Sequence, residues 1–210
     1  LQVEHPVTEA LTGLDLVALQ LRIAAGEALA LEQDDVRFDG HAIEVRLCAE
    51  SPAQAFTPQS GTLAVWQPDE STLRVEHALE CGADIPPHYD SMIAKLIAHG
   101  RTRDEARQRL LAGLAGTVAL GVGTNQHFLQ RCLAHPVFVG GGATTAFIAE
   151  HLEELLAQDD DGWAGTAALA AALLQAGTAQ QPSVLAHRMV APLRLELDGV
   201  PYVAQVQRLA

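Results

Sequence analysis

The chain has 210 residues, 49% of them hydrophobic and 19% charged, enough for one sizeable domain or for one and a half. A formal net charge of −13 argues against a general phosphate-backbone binder, because nucleic-acid affinity depends on clustered Lys and Arg, and no uninterrupted apolar run reaches membrane-spanning length. The three cysteines, Cys48, Cys81 and Cys132, are far apart and form no CxxC pair, so neither a disulfide framework nor a zinc cluster is expected, and a reducing cytoplasm fits best.

The first four residues of LQVEHPVTEALTG alternate apolar and polar, which predicts an extended segment with Leu1 and Val3 on one face and Gln2 and Glu4 on the other. After Gly13, DLVALQLRIAAG reads as a packing helix in which Leu16, Leu19 and Ile23 recur at helical spacing, Asp15 caps the start and Gly26 closes the end. HAIEVRLCAE, residues 41 to 50, alternates as a strand, with Ile43, Val45 and Leu47 on one face and Glu44, Arg46 and Cys48 on the other. GTLAVWQP and TLRVEHA, broken by Pro68 and the polar run after it, form a plausible hairpin. HYDSMIAKLIAHG carries a stripe of Met92, Ile93, Leu96 and Ile97 that reads as a helix ended by Gly100. TRDEARQRLLAGLAGTV is a helix with a Thr102/Glu105 capping box and the apolar stripe Leu110, Leu111, Leu114 and Val118.

A short helix over TNQHFLQRCL, then PVFVGGG, then a helix through Phe147, Ile148, Leu152 and Leu155 complete the compact part. The acidic stretch QDDDG, residues 158 to 162, ends it; an alanine-rich helix from Trp163 to Leu174 and a polar GTAQQPS linker follow. LRLELDGVPYVAQVQ alternates around Asp198-Gly199, a strong hairpin signal, and its second strand is expected to run to the last residue. Gly121-Val122-Gly123 lacks the third glycine of a dinucleotide fingerprint and reads as a loop, while Gly140, Gly141 and Gly142 offer backbone amides ahead of a helix but are more simply a turn. The nine histidines show no HExxH or paired-ligand spacing; His5 and His41 read as structural, and no protein metal site is expected.

LQVEHPVTE with TGLDLV and LRIAAG, then GHAIEVRLCAESP, YDSMIAKLI, and GVGTN followed by HPVFVGG and TAFI, occur in an order and spacing that resemble the C-terminal half of biotin carboxylase, across roughly residues 1 to 157. HPVTE and the tail beyond residue 160 look more like the α subunits of acyl-CoA carboxylases, such as those acting on propionyl-CoA or methylcrotonyl-CoA, than like a stand-alone bacterial subunit. The resemblance implies an α+β chain. Residues 1–33 would be the C-terminal end of an ATP-grasp domain, 34–157 a biotin carboxylase C-terminal domain with an antiparallel sheet and helices, 158–183 a linker, and 184–210 the start of a β-rich linker domain.

That resemblance also implies a ligase that carboxylates biotin with bicarbonate and ATP through carboxyphosphate. It places the general base at Glu4, the bicarbonate-binding set at Gln2, Val3 and Glu4, and the biotin-binding oxyanion stabiliser at Arg46. Asp90 would orient Arg46, and Thr145 would lie against the adenine of ATP. Ser51, His88 and Cys48 depart from the family pattern without touching Glu4 or Arg46. The phosphate-covering glycine loop, the Mg2+ ligands and the biotin-bearing lysine motif would lie outside this chain, so truncation at both ends is expected. The implied partners are the missing ATP-grasp half, a biotinylated carrier domain, a carboxyltransferase subunit and a second biotin carboxylase domain; neither nucleic acid nor membrane is among them. The alternative is a non-catalytic packing or assembly module.

Overall fold

The computed structural model describes residues 1–157, 191–197 and 200–206. The chain divides into two compact units, Leu1–Leu156 and Ala157–Ala210. In the first, the opening residues are not extended. His5 N donates to Gln2 O at 3.2 Å and Val7 N to Glu4 O at 3.1 Å, winding the chain into helix α1 (His5–Thr12). Pro6, with φ preset for the first helical turn, supplies the reason, and four alternating residues are too few to separate a two-residue period from a turn. Helix α2 (Leu16–Ala24) starts where expected, with Asp15 accepting the Ala18 amide at 2.7 Å. None of its residues is buried, however, so the expected packing stripe stays on the surface of this chain.

Strand β1 (His41–Cys48) forms as its alternation predicts. Short ladders follow: β2 (Glu50–Ser51) pairs with β3 (Thr57–Pro58), and β4 (Gly61–Thr62) pairs with a strand further on. The expected hairpin between β5 (Val65–Gln67) and β6 (Arg74–His77) does not form. Asp69 accepts from Ser71 N, Ser71 Oγ and Thr72 Oγ1, and this side-chain turn sends the chain after Pro68 into a different sheet. Strand β7 (Asp84–Ile85) closes the ladder with β4.

The largest departure is strand β8 (Met92–Gly100), expected as a helix. It is the middle strand of the antiparallel sheet β1-β8-β6 and is covered on both faces, with Ala94, Leu96, Ile97 and Ala98 all buried. A strand buried on both faces shows no alternation, so its apolar run imitates a helical stripe. Helix α3 (Arg103–Gly116) packs on one face, burying Ala106, Leu110 and Leu114. Thr102 Oγ1 accepts the Glu105 amide at 3.1 Å, but Glu105 returns its carboxylate to the Arg101 amide, so only half of the capping box is made. Val118, expected to extend the helical stripe, instead opens β9 (Val118–Leu120), the partner of β5. The core beneath comprises Leu47, Leu63, Trp66, Leu73, Leu96, Leu110, Leu114 and Leu133.

Helices α4 (Gln126–Ala134), α5 (Pro136–Val139) and α6 (Phe147–Leu156) surround a second apolar cluster of Phe128, Cys132, Phe147 and Leu155. The amides of Gly140, Gly141 and Gly142 all bond to carbonyls of residues 136 to 138, so this glycine run is a helix-closing turn with no amide left for phosphate. In the second unit, β10 (Ala191–Leu197) and β11 (Val200–Val206) form an antiparallel hairpin with Leu197 opposite Val200, as the alternation predicts. The acidic stretch, the alanine-rich helix, the polar linker and residues 207–210 lie outside the described residues.

Candidate active site

The face of the β1-β8-β6 sheet opposite α3 carries charge. Strand register sets Arg46, Lys95 and Glu76 in one row and Glu44, Ile97 and Arg74 in the next. Helix α1 lies over this face and adds Glu4 and Glu9. Arg46 Nη2 donates to Glu4 Oε2 at 3.1 Å, and the two side chains are 50% and 55% exposed. The pair is therefore formed yet open to a solute. Lys95, the only lysine in the chain, is 12% exposed; its Nζ pairs with Glu76 Oε2 at 2.5 Å and donates to Val3 O at 3.2 Å. Val3 thus engages the sheet through its carbonyl.

Arg74 bridges Glu76 and Glu9, the latter at 2.6 Å, and Glu9 Oε1 accepts the Leu16 amide at 2.8 Å, which ties the end of α1 to the start of α2. Burial works against the Glu9 carboxylate, but the Arg74 hydrogen bond, the Leu16 amide and the Arg74 charge outweigh it and hold Glu9 below the usual range. Glu76 is likewise lowered, burial being overcome by hydrogen bonds from Lys95 and Arg74. Glu44 goes the other way: burial dominates, the charges of Lys95 and Arg46 only partly offset it, and its Oε2 has no hydrogen-bond partner. Arg46, Lys95 and Arg74 are thus each paired with a carboxylate on this face, and Arg46 is the most solvent-open of the three, the one that a solute can reach beside Glu4.

Arg46 is held from behind by a residue the sequence reading did not assign. Asn125 is 5% exposed; its Oδ1 accepts the Cys48 amide at 2.9 Å, its Nδ2 donates to Arg46 O at 3.3 Å and to Glu50 Oε1 at 3.0 Å, and its own amide bonds Cys48 O at 3.1 Å. The clamp sits where the β1 register shifts between Leu47 and Cys48. The GVGTN string was a signal for it, read only as a loop and motif. Asn125→Ala leaves the Cys48 amide, the Arg46 carbonyl and the Glu50 carboxylate without this partner and is expected to cost about 2–3 kcal/mol in urea unfolding; an unchanged midpoint would remove the clamp. The neighbouring Cys48 thiol is pushed up to about 11 by burial and by the Glu50 charge, so it is inert at neutral pH.

Among the other expected site residues, Gln2 bonds His5 through its carbonyl, accepting at 2.8 Å from Nδ1. Asp90 Oδ1 accepts the Met92 amide at 2.8 Å in the turn that enters β8, and the group on the Arg46 guanidinium is Glu4. Thr145 is exposed in the connection between α5 and α6. The structure brings Glu4 and Arg46 together directly and Val3 to them through Lys95, whereas no hydrogen bond or ion pair joins Asp90 or Thr145 to this group.

Residues 44–150 match the biotin carboxylase C-terminal domain. The chain belongs to the biotin carboxylase family. Residues 1–32 match the ATP-binding domain of the carbamoyl-phosphate synthase L chain. Biotin carboxylase 1 of Bacillus subtilis is 45% identical over 149 residues, covering 70% of this chain and 33% of that protein. The mitochondrial methylcrotonoyl-CoA carboxylase subunit alpha of Arabidopsis thaliana is 42% identical over 163 residues, covering 77% of this chain and 22% of that one. The biotin carboxylase domain of the Hydrogenobacter thermophilus 2-oxoglutarate carboxylase, solved as a dimer with MgADP, ADP and bicarbonate, superposes with a TM-score of 0.72 at 41% identity, covering 76% of this chain and 35% of that chain. The chain therefore spans between about a fifth and about a third of the length of these relatives.

Proposed function

We propose that this chain supplies the bicarbonate and biotin side of a biotin carboxylase active site, in the α subunit of an acyl-CoA carboxylase. The observation that carries the reading is the open Glu4–Arg46 pair at 3.1 Å, formed between residues 42 apart in sequence at the edge of a charged sheet face. Residues 1–33 are read as the end of an ATP-grasp domain, 34–157 as the C-terminal domain that presents Arg46, 158–183 as a linker and 184–210 as the start of a β-rich domain; the two family matches support the first boundary.

Glu4 takes the proton of bicarbonate as its oxygen attacks the γ-phosphorus of ATP, so that carboxyphosphate forms and ADP leaves. Carboxyphosphate then releases CO2, and the phosphate removes the N1 proton of biotin, whose ureido oxygen gains negative charge. Arg46 holds that charge, because a guanidinium stays protonated and presents several donors in a rigid plane. Gln2 and Val3 border the bicarbonate position. Asp90 keeps the entry to β8 in place beside Arg46, and Thr145 lies on the adenine side. The described residues do not fit a nucleotide phosphate site: the glycine-run amides are spent and Lys95 is tied to Glu76. ATP phosphates and Mg2+ are accordingly assigned to an ATP-grasp segment outside this sequence, biotin to a carrier domain, and the acyl-CoA to a carboxyltransferase subunit, with a second biotin carboxylase domain as the self-partner.

The assay is ADP release from a polypeptide that joins this chain to a complete ATP-grasp domain. Release that requires bicarbonate and rises with free biotin is the expected result. Release indifferent to both would overturn the reading.

A further inference from the structure

At the far side of the first unit from the charged sheet in sequence, α4, α5 and α6 bring two imidazoles and a carboxylate to one point. His135 breaks the chain between α4 and α5, and its Nε2 lies 3.1 Å from Glu154 Oε2. His151 and Glu154 share one face of α6 at i, i+3, with His151 Nδ1 3.9 Å from the same oxygen. All three ligand atoms lie within 4.8 Å of one another. His151 Nδ1 is buried and has no hydrogen-bond partner, a costly state for a polar atom aimed at a carboxylate. Buried Phe147 fixes both rings, meeting His135 at 5.2 Å and His151 at 5.4 Å between centroids, and the two imidazoles are 4.4 Å apart.

We propose that His135 Nε2, His151 Nδ1 and Glu154 form a site for one divalent transition ion, zinc by the chemistry of its donors. Two imidazoles and a carboxylate are a borderline-soft set, and bonds of about 2.0–2.2 Å place tetrahedral ligands roughly 3.3 Å apart, so the site closes by rotamer adjustments of about an ångström. Glu154 is 70% exposed, which leaves it free to move and leaves the fourth position to water. His135 Nδ1 accepts the Val137 amide at 3.3 Å, so without metal the ring proton sits on Nε2 and points at Glu154. Metal binding displaces that proton from Nε2, and the neutral ring then carries its proton on Nδ1, exchanging the long Val137 contact for the metal bond. The ion would staple the α4–α5 corner to α6, the last helix of the unit. The other cluster with this composition, His5, Glu9 and Glu76, is a poor competitor, because both carboxylates are already paired with Arg74 and Lys95.

Zinc added to the full chain in chelator-free buffer at pH 7.5 tests this, with Co2+ absorption reporting the coordination number. The expected result is one equivalent bound, tetrahedral Co2+ bands, and a Tm rise of roughly 5–10 °C at about a hundredfold excess over Kd. Affinity should fall as the pH is lowered, because protons compete with the ion for the ligand nitrogens. Glu154→Gln, an exposed change that leaves the fold intact, and His151→Gln should each abolish the tetrahedral bands and the Tm rise, while His127→Gln, on the exposed face of α4, should keep both. Absence of stoichiometric binding, or binding that both Glu154→Gln and His151→Gln retain, would overturn the site.

Discussion

Glu4→Gln, introduced where the chain is joined to a complete ATP-grasp domain, is expected to lower bicarbonate-dependent ATP cleavage by roughly 10²–10⁴. The amide keeps the size of the carboxylate and its oxygen can still accept from Arg46, but it cannot take a proton. The fold should survive, because the Glu4–Arg46 pair is half exposed and such pairs contribute at most about 1 kcal/mol. An unchanged unfolding midpoint together with a collapsed rate therefore separates a chemical role from a structural one, and near-normal turnover removes Glu4 from the reaction.

Arg46→Ala is expected to act on the second half of the reaction. A fixed donor at a developing oxyanion is worth about 3–4 kcal/mol, so biotin carboxylation should fall by on the order of 10²–10³ while the KM for ATP moves little. Arg46→Lys restores charge without the planar fork and should recover only part of the rate. Equal loss of ATP binding and biotin carboxylation in Arg46→Ala would mark the arginine as structural, holding α1 to β1 through Glu4 and nothing more.

The features legible in the sequence were those set by nearest neighbours. Asp15 and Thr102 cap their helices through amides three residues on, and the pairing of β10 with β11 follows from two alternating segments close in sequence. Strand β1 was legible because one of its faces is apolar and the other polar. Strand β8 was not, since burial on both faces erases the period that would reveal it, although Ile93 and Ile97 are β-branched and the sole lysine stands between them. The turn at Asp69 was misjudged because hydrogen bonding within residues 69 to 72 competes with hairpin closure.

The site was legible in a different way. Glu4 and Arg46 were legible through motif resemblance, whereas the extended segment that the alternation predicts does not form, and a helical turn at Pro6 places the Glu4 carboxylate over β1. The contacts that hold the pair in place escaped altogether. Asn125 reaches Cys48 across 77 residues and Lys95 reaches Val3 across 92, and no local pattern encodes a bond of that span. The imidazole pair at His135 and His151 escaped for the same reason: ligands drawn from a helix corner and a separate helix have no fixed spacing.

The most direct measurement follows the oxygen atoms. With 18O-labelled bicarbonate, attack on the γ-phosphorus followed by C–O cleavage of carboxyphosphate leaves one bicarbonate oxygen in the inorganic phosphate. The unsubstituted joined polypeptide should deliver that label at the rate of ADP release, and Glu4→Gln should slow label transfer and ADP release by the same large factor. Label appearing in phosphate at the unsubstituted rate in Glu4→Gln, or never appearing in the unsubstituted protein, would contradict the assignment of Glu4 as the base that activates bicarbonate.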